Sequence, residues 1–175
     1  MICPDIILKK IGTIRTPYKD VSSDVPIQGQ FHPGSDGYIE LLPGYHDACR
    51  DLDGFSHIIL VYRFHLCTEE KTIARPYMDT EQRGIFSTRF PHRPNHIGIS
   101  LVEVIGINAG IISVRDVDMV DGTPLLDIKP YVPRFDSVAS GKTIKTGWMT
   151  PYLSGQSEPS TTRTRSENEW SRNHR

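Results

Sequence analysis

The feature that most limits how this chain can fold is the way its apolar runs are cut short. Stretches rich in Ile, Val, Leu and Tyr recur, and Pro, Gly or Asn closes most of them before they reach the length of a stable helix. Residues 6–15 form a β-branched run stopped by Thr16 and Pro17, and residues 37–42 lie between Gly and Pro. Residues 56–65, SHIILVYRFH, are strongly apolar and predict a central strand. Residues 98–107 and 111–120 are two β-rich runs separated by Asn108, Ala109 and Gly110, which predicts a hairpin with a three-residue loop. Residues 124–129 predict a further short strand. Only residues 45–52 and 69–74 read as helical, and both are brief. Several short strands with few helices predict a mainly β fold, a barrel or a sandwich.

With 175 residues the chain has a one-domain length and needs no disulfide or metal staple to bury a core. Residues 1–153 are expected to form that domain. Residues 154–175 are rich in Ser, Thr, Arg and Glu, with Trp170 almost alone as an apolar side chain, so they predict a disordered polar tail. The cysteines are Cys3, Cys49 and Cys67, an odd count without CxxC spacing. That pattern disfavours a disulfide framework or a four-thiolate zinc site and fits buried thiols in a reducing, cytoplasmic setting. No stretch has the apolar length of a signal peptide or a membrane span.

The net charge of −1 does not announce a nucleic-acid binder, but the charge is uneven. Residues 1–82 carry 8 Lys+Arg and 12 Asp+Glu, or −4; residues 83–175 carry 12 and 9, or +3. The segment FSTRFPHRPNHIGIS, residues 86–100, concentrates Arg89, His92, Arg93, Asn95 and His96 around two stiffening prolines. A rigid Arg/His/Asn loop without an acid suits an anionic or carboxylate-bearing ligand, although a plain solvated turn competes with that reading. A second cluster, DVDMVDGTPLLDIKP over residues 116–130, puts Asp121 at a turn, where an ordinary Asx role competes with a functional one. Its aspartates lack the calcium-loop spacing, and the seven histidines show no HExxH, so no metal ligands are assigned. Absence of GxGxxG and GxxxxGK[ST] excludes an ordinary dinucleotide fold and a P-loop.

At these clusters the sequence resembles the TrmO/TsaA-like family. The likeness starts at IGTIRTPY (residues 11–18) and runs through Val25, Pro26, Ile27 and Gln28 and then DLDGFSHIILVYRFH (residues 51–65). It is most specific at residues 86–100 and at DMVDGTPLLDIKPYVP (residues 118–133). The resemblance implies a small closed or partly open β-barrel with a few short helices, working as a homodimer. It further implies an S-adenosylmethionine-dependent methyltransferase that acts on N6 of the threonylcarbamoyl-modified adenosine beside the tRNA anticodon. The cofactor-binding residues it carries over are Pro26, Ile27, Gln28, Phe64, His65, Arg89, Ile99, Asp118, Met119, Val120 and Asp121. The chain departs from the family pattern at Ile27, Ser87, Phe90 and His96, where a basic residue, Ala, Ser and Pro are common.

On that reading Asp121 is the first candidate for a base or acceptor at the nucleophilic nitrogen, and His65 the second. Arg89 or Arg93 would hold a carboxylate. Asn95 and Lys129 would orient the modified base, and Phe64, Phe86 and Tyr131 would stack on adenine, with core packing as the competing role. Two rivals come from other classes: an RNA- or nucleotide-binding barrel without catalysis, and a metal-dependent hydrolase using the histidines with Asp118 and Asp121. A methyltransferase for another small substrate is a third.

Overall fold

The computed structural model describes residues 6–21, 25–29, 33–77 and 79–154. Six strands close into an antiparallel barrel: β1 (Gly12–Arg15), β2 (Asp36–Leu41), β3 (His57–Arg63), β6 (Ile97–Asn108), β7 (Ile111–Arg115) and β8 (Thr123–Pro130). Their order around the barrel is β1-β2-β7-β6-β3-β8, and β8 returns to β1 through Ile14↔Thr123 and Gly12↔Leu125. The remaining strands, β4 (Ile73–Ala74) and β5 (Arg83–Gly84), form a small ribbon of their own.

Alternation along the strands builds the core. Ile58, Leu60 and Tyr62 of β3, Ile112 and Val114 of β7, Ile39 of β2, Ile14 of β1, Val102 of β6 and Leu125 of β8 are all buried inside, while their sequence neighbours face outward. Each such aliphatic side chain contributes about 1.5–3 kcal/mol on burial. The 56–65 run is therefore a central strand, bonded to β6 on one side and β8 on the other.

The hairpin is present but its loop is shorter than expected. Asn108 pairs with Ile111, leaving a two-residue turn of Ala109 (φ 46°) and Gly110 (φ 81°). Two positive φ values in succession match the twist of the flanking strands. A side chain at Gly110 would also enter the His46 ring, only 2.3 Å from an added Cβ.

Three local expectations are corrected. Strand β1 starts at Gly12 rather than residue 6, because β2 ends at Leu41; Ile11 closes the ladder, its amide donating to the Leu125 carbonyl and its carbonyl accepting the Leu42 amide. Ile6 and Ile7 are left 85% and 88% exposed. Strand β7 stops at Arg115 because Asp116 turns the chain with φ 69°. Residues 69–74 are not helical; their end is β4, and the Ile85 amide, just after β5, donates to the Thr72 carbonyl and continues the ribbon. The 45–52 segment forms tight 3-10 turns, Pro43–Cys49 and Leu52–Gly54. Two one-turn helices follow the barrel, α1 (Pro133–Asp136) and α2 (Thr150–Leu153). Cys67 is buried, its thiol pushed up to about 11 by burial, and Cys49 is half-buried. Cys3 and residues 155–175, which include nearly all of the expected tail, lie outside the described residues.

Candidate functional site

One mouth of the barrel gathers the two unusual motifs. The ends of β1, β3 and β7 and the starts of β2, β6 and β8 meet there. Four loops crown it: residues 25–29, 64–67, 85–96 and 116–122. Backbone strain concentrates at the same place. Asn95 (φ 65°), His96 (φ 51°) and Asp116 (φ 69°) are held in left-handed conformations, each a cost of about 1–3 kcal/mol that the surrounding structure must hold in place.

A buried polar chain ties the mouth together. The Tyr62 hydroxyl lies 3.1 Å from Ser100 Oγ, and Ser100 donates to Asp118 Oδ1 at 2.5 Å. The other oxygen of Asp118 accepts the Gly29 amide at 3.1 Å, which pins the 25–29 segment to the barrel. Burial pushes the Asp118 carboxyl above its ordinary range; the Ser100 hydroxyl, the Gly29 amide and the charge of Arg89 pull the other way without overcoming it. Burial likewise pushes the Tyr62 phenol up. Gly29 permits this docking because an added Cβ would lie 1.7 Å from the Asp116 carbonyl oxygen.

Asp121 occupies a different environment. Its Oδ1 accepts the Thr16 amide at 3.0 Å, its Oδ2 pairs with Lys19 Nζ at 2.9 Å, and its own amide donates to the Tyr18 carbonyl. Burial acts to raise its pKa, but the Lys19 bond, the Thr16 amide and the charges of Lys19 and Arg15 leave it below the ordinary value. The Thr16 hydroxyl donates to the Met119 carbonyl at 2.9 Å, so IGTIRTPY and DMVDG form one interlocked unit. His65 stands beside it, its Nδ1 3.4 Å from Thr123 Oγ1. Burial, with the charge of Lys10, depresses its pKa against the opposing pull of Asp121, so His65 is held neutral.

Arg89 reaches across the mouth and donates to Gln28 Oε1 at 2.9 Å, while Gln28 Nε2 donates to the Ile27 carbonyl. Arg93 donates to the Thr88 carbonyl at 3.0 Å. Both guanidinium groups thus bond to neutral acceptors. Pro26 is buried, and Ile27 is 44% exposed at the rim. Phe64 is half-buried and makes an edge contact with Tyr62, the ring centres 5.3 Å apart. Asn95 is exposed in the turn Pro94–His96.

Ile99 brings its main chain, not a buried side chain, to this end of the barrel. Strand β7 pairs with β6 only from Glu103 onward, so among the described residues the first half of β6 has β3 on one side and no strand on the other. The carbonyl of His96 accepts the Phe64 amide, and the Val104 amide donates to Ser56, so even-numbered residues of β6 bond toward β3. Strict alternation then turns the N–H and C=O groups of Ile99 and Leu101 into the open edge. The edge flanks Ser100, which Asp118 links to Gly29 next to Gln28, and it offers both a donor and an acceptor to a planar heterocycle.

Lys129 and Tyr131 are not brought to this mouth. Lys129 pairs with Ile59, the amide of Tyr131 bonds to the His57 carbonyl, and Lys129 Nζ is engaged by Asp127 at 2.7 Å. They lie five to seven residues along β3 from Phe64, roughly 17–23 Å away. Ser100, Tyr62, Gly29, Thr16 and Lys19 are the residues of the site that sequence reasoning gave no role. For Ser100 there was a signal: it is a polar side chain at an inward position of an alternating strand.

A family model described as the tRNA-methyltransferase O N-terminal domain matches residues 13–137. The chain belongs to this family. A probable S-adenosyl-L-methionine-binding protein of Pyrococcus abyssi is 44% identical over 149 residues, 85% of this chain and 77% of that one. The tRNA (adenine(37)-N6)-methyltransferase of Escherichia coli is 38% identical over 140 residues, 74% of this chain and 59% of the enzyme. The crystal structure of TrmO from Pseudomonas aeruginosa matches with a TM-score of 0.66 at 35% identity, over 79% of this chain and 62% of that one. The chain therefore spans about three-fifths of the length of these last two proteins. Both motifs that crown the mouth lie within the matched region, so the site belongs to the part shared across the tRNA-methyltransferase O family.

Among the described residues no three His, Cys, Asp or Glu side chains are placed to hold a metal ion. None of the described helices is long and apolar enough to cross a membrane.

Proposed function

We propose that the chain is an S-adenosylmethionine-dependent methyltransferase that modifies N6 of the threonylcarbamoyl-bearing adenosine beside the tRNA anticodon. The observation that carries this reading is the open β6 edge at Ile99 and Leu101, together with the Arg89–Gln28 bridge at the same mouth, inside the region that defines the family. S-adenosylmethionine has a carboxylate, a sulfonium and an adenine, and the residues present suit all three. Arg89 matches the carboxylate, the edge amide and carbonyl match adenine, and Pro26, Ile27 and Phe64 supply apolar walls. Asp118, with Met119 and Val120, shapes the floor. The cofactor supplies a methyl group already activated on sulfur.

The protein's share of the chemistry is alignment. The Gly29–Asp118–Ser100–Tyr62 chain fixes the 26–29 wall, and the Thr16 and Lys19 contacts fix Asp121. An N6 nitrogen bearing a carbonyl substituent is a weak nucleophile but a better acid, so an acceptor for its proton assists. His65, neutral and at the mouth, supports that role better than Asp121, whose oxygens are occupied and whose basicity is lowered. Arg93 and Asn95 suit the threonyl carboxylate and the base. Lys129 and Tyr131, at the far end of the barrel, fit a substrate role only if a second copy presents them, which is the arrangement a homodimer permits.

Calorimetric titration with S-adenosylmethionine and with its demethylated product, without added metal, tests the reading. Micromolar binding that is lost in Arg89→Ala supports it. Absence of binding by the folded protein removes it and favours an RNA-binding barrel without catalysis.

A further inference from the structure

The chain beyond the barrel returns to the functional loop. Trp148, in the turn Gly147–Met149 just before α2, donates its indole N–H to the Ser87 carbonyl at 2.8 Å. Arg83 lies over the same indole at 5.7 Å and is itself held by Asp79 at 2.7 Å. Tyr152 closes an edge contact, its ring centre 6.2 Å from that of Trp148. These contacts brace the turn Ile85–Ser87 from behind. Ile85 is buried as its anchor, and the side chain between anchor and brace, Phe86, is 79% exposed.

An almost fully exposed aromatic on a braced turn calls for a ligand, since core packing does not use it. Its surroundings indicate which one. Phe86 is three residues from Arg89 and seven from Arg93, whose charges have no carboxylate bonded to them among the described residues. An exposed apolar ring on the same mouth loop as two such guanidinium groups matches an unpaired nucleotide, with stacking on the base and charge on the phosphates. A protein partner would be served as well by an aliphatic patch, and a lipid surface would not need the ring to be rigid.

We propose that Phe86 is a base-stacking side chain for the unpaired nucleotide next to the target adenosine, with Trp148 as the residue that positions it. This rests on the RNA-directed reading above and adds a subsite to it. Phe86 replaces one of the stacking neighbours that the target base leaves behind when it enters the mouth. Trp148 acts through the Ser87 carbonyl bond and touches no RNA.

The test uses the full chain and an RNA stem-loop bearing 2-aminopurine in turn on each side of the target adenosine. Stacking on a protein ring alters 2-aminopurine fluorescence. The expected result is a fluorescence change on one side of the target, abolished in Phe86→Ala and retained in Phe86→Tyr, with RNA affinity falling about 5- to 100-fold in the alanine variant. Trp148→Ala should lose the fluorescence change in part, and both variants should bind S-adenosylmethionine like the wild type. If the wild type binds the stem-loop and Phe86→Ala binds it equally well with the same fluorescence, the subsite is refuted while the methyltransferase reading stands. If the wild type binds no RNA, both fail. If Phe86→Ala instead converts a dimer to a monomer, the ring belongs to a protein interface and the proposal is overturned.

Discussion

Removing the Asp118 carboxylate should separate what the buried chain does for stability from what it does for the site. In Asp118→Ala, Ser100 Oγ and the Gly29 amide both lose their acceptor. Each bond to a carboxylate is worth about 1.5–3 kcal/mol, and relief of the buried charge offsets part of the loss, which leaves a destabilisation of about 2–4 kcal/mol. The Gly29 bond also holds the 26–29 wall. Losing it should weaken S-adenosylmethionine binding about 10- to 100-fold. Asp118→Asn should cost only about 1 kcal/mol, because the amide oxygen still accepts from Gly29 and the Ser100 hydroxyl can rotate to accept from the amide nitrogen. The sign with pH also follows. Burial raises the Asp118 pKa above its ordinary 3.8, so the folded protein keeps this proton where the unfolded chain has lost it. This group's contribution to stability therefore falls as pH rises from about 3.8 through the raised value, and Asp118→Asn removes that slope. Urea unfolding across pH, paired with calorimetry, reads all three effects. Unchanged stability and unchanged cofactor affinity in Asp118→Ala would refute the reasoning.

Other consequences can be measured alongside. Gly29→Ala places a Cβ 1.7 Å from the Asp116 carbonyl, so the 25–29 segment must undock; cofactor affinity should fall about tenfold or more, and the melting temperature should fall too because the Gly29–Asp118 bond is lost. Gly110→Ala, at φ 81° and against His46, should cost about 1–3 kcal/mol in urea unfolding and leave cofactor binding intact, because it lies at the opposite mouth. His92 is held neutral, chiefly by burial, so its contribution to stability is complete above 6.5 and is lost as pH falls below it; His92→Phe should flatten that acid limb in thermal unfolding. If His65 accepts the proton, the acid limb of kcat/KM should fall below the ordinary histidine value of 6.5 and vanish in His65→Asn, whereas Asp121→Asn should reduce the rate without moving the limb.

Much of the barrel was legible because its strands obey a simple period. The 56–65 run alternates Ile58, Leu60 and Tyr62 inward, and the Asn108–Gly110 punctuation marks the hairpin; the structure keeps both. The N-terminal run looks just as β-branched, yet most of it is not strand. A strand needs partners, and no local pattern in residues 6–11 reveals that β2 ends at Leu41, opposite Gly12. The site was legible as two motifs, not as an arrangement. Asp118 and Asp121 look alike in DMVDG, but the fold buries one against Ser100 and Gly29 and pairs the other with Lys19. Their opposite pKa shifts arise from residues up to 105 positions away in the chain, a separation no spacing rule spans. Lys129 sits in the same motif as Asp121, yet strand β8 carries it to the other end of the barrel.

The central claim is tested most directly by incubating the protein with methyl-labelled S-adenosylmethionine and two matched tRNAs. One carries threonylcarbamoyladenosine beside the anticodon, and the other carries plain adenosine there. The account predicts label on N6 of the modified nucleoside only, lost in Arg89→Ala. Equal labelling of both tRNAs would contradict the substrate assignment, and no labelling of either by protein that binds the cofactor would contradict the claim that this chain methylates tRNA.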